Sequence, residues 1–340
     1  MSDVIDRARI AILGAGGWGM AMANLLTQGG HDTILWEYDP KEADQLSQSR
    51  ALPTKLPGIE LPQSIEVTNN LPGAIDNANV VVFATPSTAV RPTAVTLSGV
   101  LPTECLIVSL AKGIDIETGE RMTEIINSTL NRTDAVALLG PSHAEEVARG
   151  IPTAVVAAST DHAAAERTQH IFSSEQFRVY TSDDPVGVEL GAALKNIVAI
   201  AAGIVDGIGL DSSDNMKGAL LTRGLAEITR LGVAMGANPE TFAGLSGVGD
   251  LVTTCLSQHS RNRHVGEQIG RGRSLEDILA EMSMVAEGVN ATRAALRMAR
   301  QHDVDMPIAE AVHAMLFEGI PAKIALNALM TRPLTSEIRR

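Results

Sequence analysis

A glycine-rich turn near the N-terminus constrains the fold of this chain more than any other feature. The apolar run Arg9–Leu13 leads directly into Gly14-Ala15-Gly16-Gly17-Trp18-Gly19, and good helix formers follow. A G-x-G-x-x-G motif between a strand and a helix is typical of βαβ domains that bind a dinucleotide. In that setting Gly14 permits the tight turn, Gly16 lets the backbone approach a pyrophosphate, and Gly19 lets the helix pack on the strand. The helix would then present free N–H groups and its positive dipole end to the phosphates.

The first half of the chain alternates between apolar runs of strand length and segments long enough for helices. The strand candidates are Arg9–Leu13, Thr33–Trp36, Val80–Ala84, Leu106–Leu110, Ala135–Leu139 and Thr153–Ala157. This alternation predicts βαβ units and a parallel sheet with helices on both faces. Beyond about Tyr180 only Ala-, Leu- and Gly-rich helical stretches follow. We therefore predict an α/β protein with a Rossmann-type parallel-sheet domain at 1–183 and an all-helical substrate and catalytic domain at 184–340.

The charge balance excludes a general nucleic-acid binder. The chain has 340 residues, and its 27 Lys and Arg against 40 Asp and Glu give a formal net charge of −13. Proteins that bind nucleic acid need a basic face to neutralise phosphates. The overall field of this chain repels anions, so an anionic ligand would have to be held by local cationic groups.

Disulfides, metals and a membrane span are not expected either. Cys105 and Cys255 stand alone, 150 positions apart, which fits a reducing cytoplasm. The eight histidines show no metal-ligand spacing, so we expect no metal. No stretch approaches the ~20 apolar residues of a membrane span, and Met1–Arg9 is too charged for a signal peptide. We expect a cytoplasmic protein.

Acidic residues follow the second predicted strand. Glu37 lies 23 positions after Gly14, where a carboxylate can accept a hydrogen bond from the adenosine ribose 2′-hydroxyl. A 2′-phosphate would favour a cation there, so Glu37 and Asp39 favour NAD over NADP unless a cation elsewhere, such as Lys41 or Arg50, offsets them. Alternatively, both carboxylates only cap or flank the next helix.

Two predicted strands end in polar groups that would lie at the ligand crevice. Lys112 follows one strand and Ser142 follows another, and ligands in open α/β sheets bind at the carboxyl ends of strands. Each residue also has a purely structural interpretation. Lys112 could be a solvated loop lysine, and Ser142 with Glu145 fits a helix capping box. His143 is interpreted as a first-turn helix residue rather than a ligand.

In the helical half, Lys195 lies among small and apolar residues. Gly191 and Ala199 share its helix face, because positions four apart are neighbours on a helix. A lysine so placed can approach a bound ligand, and its burial lowers its pKa into the range useful for acid–base chemistry. The alternative is a lysine whose stem packs while the ammonium reaches water.

Further polar groups follow Lys195 in the chain. Asp250 comes after a Gly-Val-Gly turn and is either a helix N-cap or the carboxylate partner of a buried lysine. The run Ser260-Arg261-Asn262 combines a guanidinium with an amide and a hydroxyl, which suits phosphate recognition.

Taken together, these motifs resemble those of the soluble NAD(P)-dependent glycerol-3-phosphate dehydrogenases of bacterial type. The motifs that carry the resemblance are Gly14–Gly19 with Trp18, Ala111-Lys112-Gly113, Gly140-Pro141-Ser142, Leu194-Lys195-Asn196, Thr222–Glu227, Leu245–Leu251 and Ser260-Arg261-Asn262. They follow the order of that family and cover nearly the whole chain.

The resemblance implies reversible reduction of dihydroxyacetone phosphate to sn-glycerol 3-phosphate for phospholipid synthesis, in a homodimer that uses NAD or NADP. It implies that Lys195 is the proton donor and acceptor, oriented by Asn196 and Asp250. The implied substrate-binding residues are Lys112, Gly140, Ser142, Lys195, Asp250, Ser260, Arg261 and Asn262. The implied cofactor-binding residues are Gly17, Trp18, Tyr38, Lys112, Ala144, Arg261, Val285 and Glu287, in addition to Gly14, Gly16, Gly19 and Glu37.

The chain departs from the family pattern in the cofactor region. Gly17 stands where the family usually has Ser, so only a backbone contact is left there. Tyr38 and Asp39 stand where members that use NADP often have His or Arg, which again favours NAD.

Two other functions share part of this pattern. A related dehydrogenase of a 3-hydroxy acid or of 6-phosphogluconate would share the fold and the helical lysine, but not the Gly-Val-Gly-Asp and Ser-Arg-Asn pair of motifs. A non-enzymatic NAD-sensing regulator would need a DNA-reading or partner-binding module, and the second half has no basic stripe for one.

Overall fold

The first half of the chain forms a mixed β-sheet. The computed structural model describes residues 7–102, 104–209, 213–282 and 286–337. The strands are β1 Arg9–Leu13, β2 Asp32–Trp36, β3 Glu66–Thr68, β4 Val80–Phe83, β5 Leu106–Ser109, β6 Val136–Leu139, β7 Thr153–Ala158 and β8 Phe177–Ser182. Their order in the sheet is β3-β2-β1-β4-β5-β6-β7-β8. The order reverses between β1 and β4, and such a switch point forms the ligand crevice of an open α/β sheet.

Helices cover both faces of the sheet, as the sequence predicts. They are α1 Gly17–Gln28, α2 Pro40–Ser49, α3 Leu71–Ile75, α4 Ser87–Leu97, α5 Met122–Leu130, α6 Ala144–Val147 and α7 His162–Phe172. Strand β1 shows why both faces need cover. Ile10 and Ile12 belong to the core beneath α1, whereas Ala11 and Leu13 belong to the core on the opposite face. A strand apolar on both sides is typical of a sheet enclosed between helices.

The sheet is not parallel throughout, which corrects one detail of the prediction. β7 pairs antiparallel with β6, and β8 is parallel to β7. A parallel connection needs a crossover that returns along the full length of the strands, usually a long helix. Between β6 and β7 the chain has only the four-residue helix α6, which rises about 6 Å, so the chain turns back instead.

Two strands escaped prediction because they are not apolar runs. β3 is a three-residue edge strand with an exposed glutamate. β8 alternates buried and exposed residues, with Phe177 and Val179 inside and Arg178 and Tyr180 outside. Both lie at the sheet edges, where one face meets solvent and the pattern becomes amphipathic.

The second half of the chain is helical, as predicted, and is built around one central helix. The helices are α8 Pro185–Gly207, α9 Asp214–Ala234, α10 Asp250–Leu256, α11 Arg261–Gly270, α12 Leu275–Glu281, α13 Glu287–Gln301, α14 Pro307–Phe317 and α15 Ala322–Met330. Nearly all of α8 is buried among α9, α10, α11 and α13. β8 ends at Ser182 and α8 begins at Pro185. The domain boundary between residues 183 and 184 stays a prediction.

Helix α8 corrects a second expectation. By length and composition its 23 residues suffice to cross a membrane, although no stretch of the sequence was expected to come close. The whole apolar window is buried inside the protein, and α8 is therefore the core helix of the second half. The described residues contain no other helix of this kind.

Glycines allow α8 and α11 to touch through their backbones. A Cβ on Gly203 would overlap the carbonyl of Arg263, and a Cβ on Gly266 would overlap the carbonyl of Ile200. Because a glycine inside a helix costs ~1 kcal/mol relative to alanine, this close packing accounts for Gly203 and Gly207 of α8. The two helices therefore pack backbone to backbone.

Candidate active site

The glycine-rich turn adopts the geometry that a dinucleotide requires. Gly14 has φ +113°, a conformation that favours glycine, and a Cβ on Gly19 would overlap the carbonyl of Gly14. Gly16 caps α1 and has no neighbouring atom within 4 Å of a Cβ position, so a pyrophosphate can approach its backbone. Beside the turn, the buried hydroxyl of Thr85 has no hydrogen-bond partner among the described residues. The residues present therefore fit a dinucleotide.

Other predicted cofactor residues lie around this turn. Ala144 opens α6 and approaches Gly17, with 3.7 Å between its Cβ and a Cβ position on Gly17. The Trp18 ring lies 6.5 Å from that of Phe177. Tyr38 is 81% exposed at the end of β2, so its ring is free to cover a ligand. Val285 lies outside the described residues.

The Glu37 carboxylate is buried and already accepts hydrogen bonds from neighbouring groups. Its Oε2 accepts from the Ala15 amide at 3.2 Å and its Oε1 accepts from the Asp39 amide at 3.2 Å. The Lys55 ammonium lies 3.3 Å from Oε2. Asp39 has the other role that the sequence allowed, because its carboxylate caps α2 by accepting from the Lys41 amide at 2.8 Å.

The centre of the site is a carboxylate shared by two lysines. Asp250 forms a salt bridge to Lys195 through Oδ1 and to Lys112 through Oδ2, the latter at 3.0 Å. Lys195 comes from the buried face of α8, Asp250 opens α10, and Lys112 follows β5. Lys195 also donates to the Thr254 hydroxyl at 2.6 Å, and Lys112 donates to the Gly140 carbonyl at 2.8 Å. The structure thus brings residues from both halves of the chain together.

This arrangement changes the acidity of Lys195. The side chain is only 4% exposed, and its pKa is lowered to about 7, chiefly by burial. The Asp250 carboxylate favours the ammonium, but the nearby Lys112 cation disfavours it. The Asp250 carboxylate does not fully offset the burial of Lys195 beside a second cation, so Lys195 can take up and release a proton near neutral pH.

Asn196 contacts a different group from the one expected. Its Oδ1 accepts from the Asn262 amide at 2.9 Å, and the Asn262 Oδ1 accepts from the Gly288 amide at 2.9 Å. Its own amide faces the Ala192 carbonyl at 3.5 Å. Asn196 therefore holds Asn262 in place and does not touch Lys195, while Asn262 keeps one N–H free for a ligand.

The Ser260-Arg261-Asn262 run forms the start of α11. The Ser260 hydroxyl caps this helix by accepting from the Arg263 amide at 3.2 Å. Arg261 follows at the first helical position with its side chain exposed. A guanidinium and an amide at a helix N-terminus make a suitable anion site.

The strand end at Gly140 differs from expectation in two ways. The Ser142 hydroxyl donates to the Gly140 carbonyl at 2.9 Å, and His143 rather than Ser142 occupies the N-cap position of α6, so the predicted capping box with Glu145 is wrong. His143 thus stands immediately before the first turn of α6. Its Nε2 is buried with no partner in the described part of the chain, and its ring lies 6.0 Å from that of His259 across the cleft. Burial lowers its pKa.

Glu287 connects the two halves of the chain. Its carboxylate accepts from the Ser87 amide at 3.1 Å and from the Ser87 hydroxyl at 2.6 Å. A second connection is the buried pair between Arg121, which precedes α5, and Glu189 of α8. Burial raises the pKa of Glu189. The Arg121–Glu189 pair thus ties the helix of Lys195 to the first half of the chain, and the Ser87–Glu287 contact ties α13 to it.

Sequence reasoning missed two site residues. Thr254 lies four positions after Asp250 on α10, so helical spacing alone could have placed it beside the lysine. Lys55 lies in an irregular loop 18 positions after Glu37, and no local pattern links the two. Among the described residues there is no group of three or more His, Cys, Asp or Glu that could hold a metal.

A dinucleotide crevice on a Rossmann-type sheet, facing a buried lysine and carboxylate on a helical domain, defines a two-domain oxidoreductase. Comparisons with known proteins agree. The family model for the N-terminal part of NAD-dependent glycerol-3-phosphate dehydrogenase matches residues 9–165. The family model for the C-terminal part matches residues 184–327. The chain belongs to this family and is an NAD(P)-dependent enzyme.

Individual relatives match along almost their full length. The glycerol-3-phosphate dehydrogenase (NAD(P)+) of Pelotomaculum thermopropionicum is 50% identical over 333 residues, or 97% of this chain and 95% of the relative. The enzyme of the same name from Prosthecochloris aestuarii is 49% identical over 332 residues, which cover 97% of this chain and 99% of the relative. The crystal structure of glycerol-3-phosphate dehydrogenase from Coxiella burnetii superposes with a TM-score of 0.92 at 32% identity, covering 96% of this chain and 99% of that one.

Proposed function

We propose that this enzyme reversibly reduces dihydroxyacetone phosphate to sn-glycerol 3-phosphate, with Lys195 as the proton donor and acceptor. The observation that carries the proposal is the buried Lys195 ammonium, held by Asp250 and Thr254 and linked through Asp250 to Lys112, which follows β5. The names of the relatives supply the substrate, and the basic and amide groups at the start of α11 suit its phosphate.

The chemistry needs one hydride and one proton. When bound, the dinucleotide supplies the hydride to C2 of the ketone. As negative charge develops on the C2 oxygen, the Lys195 ammonium delivers its proton there and becomes a neutral amine. General acid–base assistance of this kind is worth ~10²–10⁴-fold. In the oxidative direction the neutral amine accepts the proton of the C2 hydroxyl.

Neighbouring residues hold the reacting groups in place. Asp250 and Thr254 both accept from Lys195, so the remaining N–H of the ammonium can point to substrate. Lys112 adds positive charge beside the developing alkoxide. Arg261 and Asn262 would hold the phosphate, with Ser260, Ser142 and Gly140 lining the same cleft; Asn196 positions Asn262.

The cofactor would lie along the glycine turn. Gly14, Gly16, Gly17 and Gly19 would accommodate the pyrophosphate, with Trp18, Ala144 and Tyr38 beside them. Glu37 would face the adenosine ribose, while Lys112, Arg261 and Glu287 lie on the nicotinamide side and Val285 completes the expected set.

The cellular setting is proposed on the resemblance. We expect a cytoplasmic homodimer that supplies sn-glycerol 3-phosphate for phospholipid synthesis, without a nucleic-acid partner or a membrane span.

Initial rates test the proposal directly. Oxidation of NADH and of NADPH is followed separately with dihydroxyacetone phosphate, and the product is identified as the sn enantiomer. Lys195→Ala is expected to lower kcat ~10²–10⁴-fold while the protein still binds dinucleotide. Lys323→Ala, an exposed lysine of α15, serves as a matched control with unchanged kcat. Absence of turnover with both dinucleotides would reject the substrate assignment.

A further inference from the structure

A closed loop holds a lysine against the adenosine end of the dinucleotide crevice. The loop, residues 51–61, begins after α2 and is closed by Arg50. The Leu61 amide donates to the Arg50 carbonyl at 2.7 Å, and the Arg50 guanidinium donates to the carbonyls of Pro62 and Ile65, the latter at 2.8 Å. Leu56 is 1% exposed. The loop is thus anchored at both ends and in the middle.

Lys55 precedes the buried Leu56 and lies over the glycine turn. A Cβ on Gly17 would come within 2.6 Å of the Lys55 carbonyl, so the glycine at this position lets the loop approach closely. The Lys55 ammonium forms salt bridges to Glu37 at 3.3 Å and to Glu42. These bonds outweigh its burial and raise its pKa. The cation is therefore fixed in place.

The charges of Glu37, Glu42 and Lys55 would lie beside the 2′ position of the adenosine ribose. Glu37 stands at the end of β2, where a carboxylate accepts from the 2′-hydroxyl of NAD and repels the 2′-phosphate of NADP. Glu37 and Glu42 carry two negative charges, and Lys55 leaves this three-residue cluster with a net charge of −1. An ammonium has three donors, and two carboxylates occupy two of them, so Lys55 retains one for a phosphate oxygen.

Resting on the proposed cofactor use, we propose that Lys55 is the residue that sets the discrimination between NAD and NADP. It offsets the repulsion between Glu37 and a 2′-phosphate and offers that phosphate a donor. Of the cations considered from the sequence, Arg50 is committed to backbone carbonyls, and Lys41 has an exposed side chain at the start of α2. Neither bridges to Glu37 in the structure.

Direct binding to the substrate-free enzyme tests this assignment. The dissociation constants of NAD+ and NADP+ are measured by calorimetry for the wild type, Lys55→Met, Lys55→Arg and Lys41→Met. We expect the ratio Kd(NADP+)/Kd(NAD+) to rise ~10-fold or more in Lys55→Met, the order expected when one charge is removed several ångströms from a phosphate at a partly solvated site. Lys55→Arg should keep the ratio within about threefold of wild type because it keeps the charge. Lys41→Met, with the same loss of net charge, should keep it too.

Two further measurements distinguish the loss of the Lys55 charge from damage to the loop structure. Retained NAD+ affinity and an unchanged Tm in Lys55→Met would show that the loop is intact. The wild-type affinity for NADP+ should also fall more steeply with salt than that of Lys55→Met, because a phosphate contact is screened. Equal losses of both affinities in Lys55→Met, or an equal rise of the ratio in Lys41→Met, would overturn the assignment. Turnover of dihydroxyacetone phosphate plays no part in these measurements, so failure of the substrate assignment would appear separately.

Discussion

The acidity of Lys195 predicts opposite pH dependences for the two directions of the reaction. In the proposed mechanism, reduction needs the Lys195 ammonium and oxidation needs the neutral amine. With a native pKa of about 7, the ammonium fraction at pH 8 is about one tenth and at pH 9 about one hundredth, whereas a solvated lysine with a pKa of ~10.4 would stay fully charged. We expect kcat/KM for ketone reduction to fall tenfold for each pH unit above about 7, and oxidation to show the mirror image.

The assay follows NADH consumption between pH 7 and 10. In this range the phosphate of the substrate stays a dianion, because its second pKa is ~6. Lys195→Arg is the matched control, since a guanidinium stays protonated throughout; its low activity should not fall with pH. Lys112→Met removes the cation that disfavours the Lys195 ammonium, so the falling limb should move to higher pH whatever its effect on rate. A wild-type profile that stays flat to pH 9 would refute proton transfer by Lys195.

Four further substitutions test the site and the packing around it. Arg261→Ala should raise KM for dihydroxyacetone phosphate ~10–100-fold with a smaller change in kcat, as loss of a charge-assisted hydrogen bond predicts; a normal KM contradicts the phosphate assignment. Gly203→Ala should lower the free energy of unfolding in urea by ~1–3 kcal/mol because its Cβ overlaps α11. In Gly218→Ala the new Cβ lies in open space on α9, so this substitution should raise the free energy of unfolding by ~0.5–1 kcal/mol. Equal effects of Gly203→Ala and Gly218→Ala on this free energy would refute the packing argument. Glu227 is buried, accepts from the Ile308 amide at 2.9 Å and has a pKa raised to about 7. The native state therefore keeps a proton that the unfolded chain has lost, so stability should decline between about pH 4.5 and 7 by on the order of 3 kcal/mol. The Tm of Glu227→Gln should decline less than that of the wild type over this pH range. The same pH dependence of Tm in both proteins would contradict the assignment to Glu227.

The parts of the fold that the sequence predicts are those fixed by local pattern. The glycine turn after β1 follows from its spacing, and buried strands such as β4 follow from their apolar runs. β8 was missed because its alternation belongs to an edge exposed on one face. The direction of β7 could not be read locally either, because it depends on how far the chain travels between two strands.

The site was predicted where short motifs carry the residues. The strand end at Lys112, the buried helix of Lys195 and the turn before Asp250 each stand out in the sequence, and the structure joins all three. The contact of Asn196 with Asn262 and the salt bridge of Lys55 with Glu37 depend on tertiary packing. No spacing rule relates those pairs.

The backbone contact between α8 and α11 has a consequence for substrate length. Lys195 is carried by one helix and Arg261 by the other, and glycines leave no layer of side chains between them that could deform. The distance from the Lys195 amine to the proposed phosphate site is therefore set by the backbone contact between the two helices. In the proposed mechanism, this spacing would favour one length of carbon chain between ketone and phosphate.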